Sequence, residues 1–566
     1  MATPRTTNST RLDATEEPLA YLRGPRKPRN GTSSFRFGQH VPRASSSASN
    51  EIHRDRKTPK SLGIRRVLIP SEDSAKTKGL ATTSTQSPVQ SVGPMEVEIP
   101  TGWKYKRMKL GPITLPWYAS PESQLILVSF VCFLCPGMFN ALNGLGGAGQ
   151  LGKNVYANDA SNSALYATFA VVGFFAGTVT NALGIRFALS FGGLGYCYVV
   201  FAGVSLGCCA GILWSAQGAI MMSYPPEKAK GRFISWFWII FNLGAVIGSL
   251  VELGLNFHAD NFHSDNETAV SDGTYISFLV LTFLGACLSW TLVDAKHVVR
   301  RDGSRIILMK HPTWKTEIIG LWETLWSDPY VILLFPMFFA SNWFYTYQFQ
   351  DVNLARFNIR TRALNSTLYW LAQIFGALIF GFALDFPNIR RTSRAKAAWV
   401  VMFVLTIGIW GGGYAFQMKY TRKDTAPEAD HPLLYDWTSK GYVGPMFLYI
   451  SYGFYDAAWQ TCVYWFMGAI SNNSRKLAHF AGFYKGIQSA GAAIIFRLDG
   501  LHAPYMNLFA SCWILLAGSL VIALPVMILK IKDTVPVEED LKFTDETVED
   551  VVGYRAIYDS PEHLRV

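Results

Sequence analysis

The sequence predicts an all-α polytopic membrane protein with twelve transmembrane helices in two six-helix halves. Composition is the first observation behind this prediction: 50% of the 566 residues are hydrophobic and only 16% are charged, whereas a soluble domain carries about 25% charged residues. The second is a succession of apolar stretches, each long enough at a rise of 1.5 Å per residue to cross about 30 Å of hydrocarbon. The third is an internal repeat, 204 residues apart, that divides the chain into two halves.

Apolar windows follow one another through most of the chain. Two buried strands of a soluble core could imitate one window, but a dozen in succession with short polar joints favours membrane helices. The predicted spans are 123–142, 163–183, 187–205, 206–224, 232–252, 274–293, 330–350, 366–385, 396–417, 442–470, 478–497 and 505–530. They assign 117–293 to an N-terminal six-helix half, 294–329 to a central cytoplasmic loop and 330–530 to a C-terminal six-helix half.

Residues 1–116 are predicted to form a disordered basic cytoplasmic tail. They contain 20 Lys and Arg against 9 Asp and Glu, and a segment rich in Ser, Thr, Pro and Arg without an apolar period cannot bury enough surface to fold. Attraction to anionic lipid and simple solvation are both open roles, whereas nucleic acid is not an expected partner because aromatic residues are not interleaved with the basic ones. Residues 531–566, with 4 basic and 10 acidic residues, are predicted to form an acidic cytoplasmic tail.

The distribution of basic residues sets the predicted orientation. With both tails inside, the inner loops carry 16 Lys and Arg and the outer loops carry 8, which agrees with retention of basic residues on the cytoplasmic side. We therefore expect an integral multi-pass protein, for which the plasma membrane and a vacuolar or other endomembrane fit equally well. Asn266 and Asn365 begin Asn-x-Ser/Thr triplets in predicted outer loops and are candidate glycosylation sites, although Asn365 lies close to a span.

The internal repeat is a glycine near the end of a span, then a carboxylate or amide, then an arginine in the following turn. Glycine lets a neighbouring helix approach closely, while the polar side chain and the arginine can hold adjacent helix ends together. The pattern resembles the signature between the second and third helices of major facilitator superfamily transporters. Asn181 stands where that family usually has Asp, Asp385 and Arg390 keep the charged pair, and Asn388 replaces the second glycine. The residues of these predicted gating turns are Gly177, Asn181, Gly184 and Arg186 in the first half and Gly381, Asp385 and Arg390 in the second.

Residues 217–249, from the fourth span into the fifth, are the most specific part of the sequence. Two prolines end one helix, and a Gly-xxx-Gly face in the next allows close helix contact. The segment resembles the fungal branch of the uncoordinated-ninety-three-like proteins, an atypical major facilitator group also called ion channel regulatory proteins. The residues that carry the resemblance are Pro225, Pro226, Gly231, Arg232, Gly244 and Gly248, together with Ala148-Gly149-Gln150 after the first span.

The resemblance covers about residues 120–530 and implies a twelve-helix major facilitator fold around a central cavity. For fungal members it implies a transport role, whereas animal relatives are known as a potassium-channel regulator and as a chaperone that traffics nucleic-acid-sensing receptors. Two functions therefore stay open. One is secondary transport of an unidentified small solute, with proton coupling as a hypothesis. The other is a non-transporting regulator or trafficking partner of another membrane protein.

Ionisable residues inside the spans are few. Asp456 is predicted near the middle of its span, where a bare charge costs at least about 2.5 kcal/mol and therefore usually faces a cavity, a partner or a proton. It is the leading candidate for a transport or proton site, against the alternative of a structural carboxylate hydrogen-bonded to tyrosines. Lys485 either pairs with it or extends towards the inner surface. Polar residues that could line a pathway or join helices are Asn140, Asn143, Gln217, Asn242, Asn342, Gln348, Gln373 and Gln488, of which Gln217, Asn242 and Gln373 are included in the candidate site.

The sequence gives no indication of an enzyme. All eight cysteines fall in predicted spans, and the Cys132-xx-Cys135 pair lacks a second pair or a nearby histidine cluster, so a zinc or redox site is not expected. A Walker-type phosphate-binding loop is absent from the sequence. We therefore expect no cofactor and no metal, and as partners the lipid bilayer, a small solute and, under the alternative function, a membrane protein.

Overall fold

The fold is described from a computed structural model. Descriptions apply to residues 100–107, 109–146, 154–184, 186, 188–189, 199–257, 272–307, 313–425 and 434–541. Residues 1–99 of the predicted basic tail, the acidic tail beyond 541 and the candidate glycosylation site Asn266 lie outside the described residues.

The N-terminal half contains six labelled helices. They are α1 (Pro121–Cys132), α2 (Met138–Gly144), α3 (Asn154–Leu183), α4 (Val199–Ser223), α5 (Lys230–Asn256) and α6 (Asp272–Ser289). Ser120 caps α1, because its side chain accepts a hydrogen bond from the Ser123 amide. A π-helical turn at Phe133–Gly137 joins α1 to α2 around Pro136, which has no N–H to donate to the regular helical ladder. The two helices therefore act as one interrupted span.

The central segment and the C-terminal half contain the remaining helices. They are α7 (Trp314–Ser327), α8 (Phe335–Ala340), α9 (Trp343–Thr346), α10 (Ile359–Leu384), α11 (Arg391–Gln417), α12 (Val443–Ile470), α13 (Ser474–Gly500), α14 (Tyr505–Pro525) and the short α15 (Val537–Leu541). A π-helical segment, Tyr347–Leu354, follows α9. Asn358 and Asn473 cap α10 and α13 by accepting hydrogen bonds from backbone amides of the first turn.

Seven helical segments of the described chain are long and apolar enough to cross a membrane, and α7 with Pro329–Leu354 would add one more as a pair bent by 82°. Two further long helices, α12 and α13, have 28 and 27 residues. The seven are Pro121–Gly144, Asp159–Leu183, Gly203–Ser223, Glu227–Leu255, Ile359–Leu384, Arg391–Gln417 and Tyr505–Lys530. This arrangement is consistent with twelve spans, of which the predicted third, 187–205, lies largely outside the described residues.

The two halves meet through a reciprocal pair of helix contacts. Helix α3, the second span of the first half, packs along α13, the fifth of the second half, while α5 packs along α10. The contact between α3 and α13 places Gly173 and Gly177 against Gly482 and Gly486. A Cβ built at Gly486 would lie 2.6 Å from the backbone nitrogen of Phe174, so the helices touch through their backbones, as small-xxx-small faces allow. The second span of each half thus packs against the fifth span of the other half. Two halves related by a pseudo-two-fold axis produce this arrangement.

Some predicted boundaries differ from the structure. Helix α4 begins at Val199, whereas the sequence placed the start of the fourth span at 206; no charged residue lies between Arg186 and Glu227 to mark the joint. The basic tail was predicted to be disordered through 116. Its last part instead forms a turn at Trp103–Tyr105 and a two-stranded hairpin, β1 (Lys109–Leu110) with β2 (Ile113–Thr114). Trp117 and Ala119, which follow directly, are buried against Val293, and this contact holds the segment in place.

Candidate functional site

A cavity of about 140 Å³ lies between the two halves. Its walls differ in chemistry. The first half contributes mainly aliphatic and aromatic side chains, whereas each described lining residue of the second half carries a polar group that belongs to a hydrogen-bond network. The first-half residues include Met138, Phe139, Leu165, Tyr166, Phe169, Leu213, Trp214, Trp238 and Phe241, with Asn140 and Thr282 as polar exceptions, and the second-half residues are Asn342, Tyr345, Gln460, Lys485 and Gln488.

The polar wall is a connected hydrogen-bond network. Lys485 Nζ donates to Gln488 Oε1 at 2.8 Å, and Gln488 Nε2 donates to Asn342 Oδ1 at 2.7 Å. Gln488 Nε2 also lies 3.3 Å from Gln460 Oε1, which accepts a hydrogen bond from the Tyr484 hydroxyl. Three helical segments thus fix one another's carboxamides, because each amide oxygen is occupied by a neighbouring donor.

The Lys485 ammonium is held among aromatic rings. Its Nζ lies 4.5 Å from the ring centre of Trp214, 4.8 Å from that of Tyr484 and 5.4 Å from that of Tyr464. The side chain is buried, with a relative exposure of 4%. Among the described residues, no carboxylate oxygen lies within 4.0 Å of Lys485 Nζ. Lys485 therefore makes no direct ion pair with Asp456 in the described part of the chain, although the two charges attract each other at longer range.

Asp456 lies directly behind the polar wall and is fully buried on α12. Its Oδ2 accepts hydrogen bonds from the hydroxyls of Tyr345 at 2.8 Å and Tyr369 at 3.1 Å, and from Gln373 Nε2 at 2.6 Å. Its Oδ1 accepts one from Gln460 Nε2 at 3.3 Å. Tyr345 and Gln460 also line the cavity, so one side chain separates Asp456 from the space between the halves.

The structure does not bring all the predicted site residues together. Gln373 contacts Asp456, whereas Gln217 and Asn242 are buried in the first half and do not line the cavity. Gln217 Nε2 donates to the Met221 sulfur at 3.3 Å, and neither polar atom of the Asn242 side chain has a hydrogen-bond partner in the described part of the chain.

The first gating turn closes on a carboxylate from the central segment. Asn181 Nδ2 donates to Glu317 Oε2 of α7 at 3.0 Å, and Arg475 Nε of α13 donates to Glu317 Oε1 at 2.9 Å. His479 Nε2 lies 3.4 Å from Glu317 Oε2. Glu317 is completely buried. The amide at Asn181, where the major facilitator signature has Asp, therefore faces an acid and acts as a donor to it.

The other residues of the first turn hold the backbone geometry. Gly177 touches α13, since a Cβ there would lie 2.5 Å from the carbonyl oxygen of Ala478. Gly184 has a φ of 83°, a left-handed conformation that glycine adopts without strain. Arg186 Nε lies 3.4 Å from Asp294 Oδ1, which ties this turn to the start of the central segment.

The second gating turn uses its carboxylate as a helix cap. Asp385 accepts hydrogen bonds from the backbone amides of Gly231 at 2.9 Å and Arg232 at 2.7 Å, at the start of α5. Burial raises the pKa of Asp385, against the lowering effect of these amides and of the Arg232 charge. The expected pair between Asp385 and Arg390 is not formed. Arg390 is exposed at the N-cap position of α11, and the amides of α5 already occupy the carboxylate.

Next to this cap, two cations join the halves at the same end of the bundle. Arg391 forms an ion pair with Glu227, and Lys230 Nζ donates to the carbonyl oxygens of Gly468 at 2.6 Å and Ser471 at 2.8 Å. Glu227 and Lys230 belong to the first half, while the other three belong to the second. In the predicted orientation, this is the cytoplasmic end.

The opposite end is closed by an arginine. Arg362 of α10 donates from Nε to the Leu145 carbonyl at 2.8 Å and from Nη2 to the Gly146 carbonyl at 2.9 Å. Asn353 Nδ2 donates to the Gly144 carbonyl at 2.9 Å. Asn365 donates to Asn353 Oδ1 at 3.0 Å and is only 1% exposed. The structure therefore places the candidate glycosylation site Asn365 in a buried position, where its amide nitrogen is occupied by a hydrogen bond.

Sequence reasoning missed Glu317 and Arg362. Glu317 belongs to a segment predicted only as a loop, and Arg362 was counted among outer-loop cations. One signal was present for Glu317: Thr313 and Thr316 form a capping box at the start of α7, which marks an amphipathic helix in that loop. We find none for Arg362.

Known proteins with similar sequences show the family of this chain. UNC93-like protein C922.05c of Schizosaccharomyces pombe is 50% identical over 456 residues, covering 78% of this chain and 88% of that protein. The chain belongs to the UNC93-like family. UNC93-like protein 1 of Arabidopsis thaliana is 40% identical to this UNC93-like chain over 414 residues, covering 70% of it and 87% of the plant protein. The family resemblance seen in the sequence is thereby confirmed.

The crystal structure of a D-xylose–proton symporter aligns with a TM-score of 0.49 at 12% identity, covering 74% of this UNC93-like protein and 100% of the symporter. No protein-family model matches the sequence. The UNC93-like protein is an integral multi-pass membrane protein with an α-helical fold, and the reciprocal contacts of α3 with α13 and of α5 with α10 display its two halves.

Proposed function

We propose that this UNC93-like protein is a secondary transporter that carries a small solute through the cavity between its halves. The observation that supports this proposal is the position of the cavity between two sets of contacts, each of which bridges the halves. Arg362 holds one end through two carbonyls, and Lys230 and Asp385 hold the other. Alternating access requires contacts of this kind, which break at one end while they persist at the other.

Proton coupling through Asp456 is part of this proposal. The carboxylate is buried beside the cavity, and its hydrogen-bond donors Tyr345 and Gln460 also line the cavity. A solute that displaces either donor removes stabilisation from the charged carboxylate and favours its protonation. Binding of solute and proton would then be linked, and the pair would cross the membrane together.

Transport by purified protein in liposomes tests the proposal. A metabolite library is first screened for compounds that raise Tm, and uptake of each stabilising compound is then measured with and without an inward proton gradient. Asp456→Asn should abolish the effect of the gradient. Glu323→Gln, which changes an exposed carboxylate of α7, is the matched control and should behave as wild type. Unchanged uptake and unchanged pH dependence in Asp456→Asn would exclude the proton role.

The alternative function is a non-transporting regulator or trafficking partner. Such a protein would use its loops, tails or lipid-facing surfaces, so substitutions in the cavity should leave its activity intact. The discriminating variants are therefore Gln488→Ala and Asn342→Ala. If both preserve the cellular phenotype of the protein while the folded protein takes up no stabilising compound, the transport proposal fails and the regulator is favoured.

A further inference from the structure

One formal charge lines the described part of the cavity, and the carboxylate that attracts it at longer range, Asp456, lies behind the polar wall. Lys485 is the only Lys, Arg, Asp or Glu among the described residues that line it. Among the residues that the structure describes, its one hydrogen-bond acceptor is the neutral Gln488 Oε1. Three aromatic rings surround the rest of the ammonium, but a ring face stabilises a cation less than an anion does. The site therefore has unused capacity to bind a negative group.

We propose that the cavity binds a small organic monocarboxylate whose apolar body is an aromatic ring or a group of similar size, with its carboxylate at Lys485. This inference names the substrate class of the proposed transporter and rests on that function. The Gln488 carboxamide contacts the ammonium and the Asn342 carboxamide contacts Gln488, so neutral polar groups extend the polar wall beyond Lys485. The body of the ligand lies against the first half.

The two unlike walls set the orientation of the ligand. Each described lining residue of the second half carries a polar group, while rings and aliphatic chains such as Phe139, Phe169 and Phe241 dominate the first-half wall. An amphipathic molecule satisfies both walls at once, because its apolar part leaves water and its charged end finds a partner. A polyol would leave most of its hydroxyls against apolar side chains without hydrogen bonds, which is costly.

Volume limits the size of the ligand. An engineered apolar cavity of about 150 Å³ accommodates one benzene ring, and the present cavity measures about 140 Å³. A ligand with one six-membered ring or an equivalent branched chain therefore fits without movement of the halves. A cationic ligand is excluded by repulsion from Lys485, since like charges in a buried site cost several kcal/mol.

Benzoate, benzamide and benzylammonium form a matched set of probes with the same ring and a negative, neutral or positive end. The purified full chain in lipid nanodiscs is titrated with each, and Tm is followed. Benzoate should raise Tm, while benzamide and benzylammonium should have much smaller effects. Equal stabilisation by benzoate and benzamide, stabilisation by benzylammonium, or no response to benzoate would each overturn the inference.

Variants of Lys485 test whether this residue recognises the carboxylate of benzoate. Lys485→Gln should weaken benzoate binding about tenfold to a hundredfold, the range expected when a charge-assisted hydrogen bond is lost, and should leave benzoate and benzamide equal. Lys485→Arg keeps the charge and should retain a preference for benzoate. Arg497→Gln removes an exposed cation from the same helix and should bind as wild type. A benzoate preference that survives in a folded Lys485→Gln protein would contradict the assignment.

Uptake separates this inference from the transport proposal. If benzoate binds through Lys485 but is not taken up by proteoliposomes, and no other stabilising monocarboxylate is taken up, the transport proposal fails while the anion site stands. If a neutral or cationic solute is transported and benzoate does not bind, transport stands and the anion inference fails.

Discussion

The close contact between α5 and α10 leads to a quantitative prediction for Gly381→Ala. A Cβ at Gly381 would lie 2.3 Å from the Ser235 Cβ and 2.7 Å from the Gly231 carbonyl oxygen, whereas non-bonded carbons pack at about 3.5–4.0 Å. The helices must separate by more than 1 Å to accept the methyl group, and the Asp385 hydrogen bonds to Gly231 and Arg232 must lengthen with them. Overpacking of this kind costs about 1–3 kcal/mol.

A cost of about 2 kcal/mol changes the ratio of closed to open forms at this end by about thirtyfold, since about 1.4 kcal/mol is tenfold. Hydrogen–deuterium exchange with mass spectrometry measures such local opening. Peptides covering residues 227–235 and 382–391 should exchange about thirtyfold faster in Gly381→Ala than in wild type. Peptides at the opposite end, around Arg362, should keep their exchange rates.

Gly408→Ala is the matched control for this substitution. Gly408 is also a helix-interior glycine of the second half, but a Cβ there would meet nothing within 4 Å, so the change should leave exchange at residues 227–235 unaltered. Adding Ser235→Gly to Gly381→Ala removes the nearest obstructing atom and should restore part of the protection. Wild-type exchange in a folded Gly381→Ala protein would refute the close contact itself.

Three further substitutions test the other contacts between the halves and the C-terminal segment. Asn181→Asp turns a hydrogen bond with buried Glu317 into repulsion between like charges and should lower Tm, whereas Asn181→Asp combined with Glu317→Gln should recover it; no recovery would mean that the two side chains do not interact. Arg362→Lys loses the paired donors of the guanidinium, so it should speed exchange at the outer end by about tenfold or more, while Arg360→Lys, which alters a contact within one half, should not. Asp540→Ala removes the carboxylate that accepts from the turn between α12 and α13 and should increase proteolysis of that turn, a result that wild-type cleavage rates would contradict.

The outline of the fold could be predicted because membrane spans are recognised by their hydropathy, which depends on local composition. Boundaries could not be placed where composition is uniform: from Arg186 to Glu227 there is no charge, and the start of α4 at Val199 was missed. Tails were judged by composition alone, so α15 and the hairpin near the first span were not foreseen. Both segments are held in place by contacts with distant parts of the chain, such as the contact of Asp540 with the turn after α12. Composition does not carry that information.

The candidate site was predictable only where a single residue was unusual for its surroundings. Asp456 stood out as a carboxylate within an apolar span, and its tyrosine and glutamine partners confirm that the carboxylate is hydrogen-bonded. Its depth relative to Lys485 could not be read from sequence, because pairing depends on the tilt and register of two helices. Glu317 was out of reach for a different reason: a carboxylate in a loop usually faces solvent, and only the docking of α7 buries it.

Replacement of Lys485 by methionine separates the two functions on physical grounds. Burial of an ammonium carries a desolvation cost on the order of several kcal/mol, which an apolar side chain does not carry, whereas loss of the hydrogen bond to Gln488 Oε1 leaves a buried acceptor unpaired and costs only about 1–3 kcal/mol. Methionine keeps the contacts with Trp214 and Tyr484, since a thioether packs well against aromatic rings. In a protein that only escorts a partner, the ammonium serves no purpose in the cavity, and Lys485→Met should raise Tm with activity unchanged. In a transporter of organic anions the same variant should raise or preserve Tm and lose benzoate binding, which is the trade-off between stability and function expected of a binding residue. A clear fall in Tm would show instead that the hydrogen bond to Gln488 and the contacts with the aromatic rings outweigh the desolvation cost of the ammonium, and the argument for a ligand-binding charge would fail.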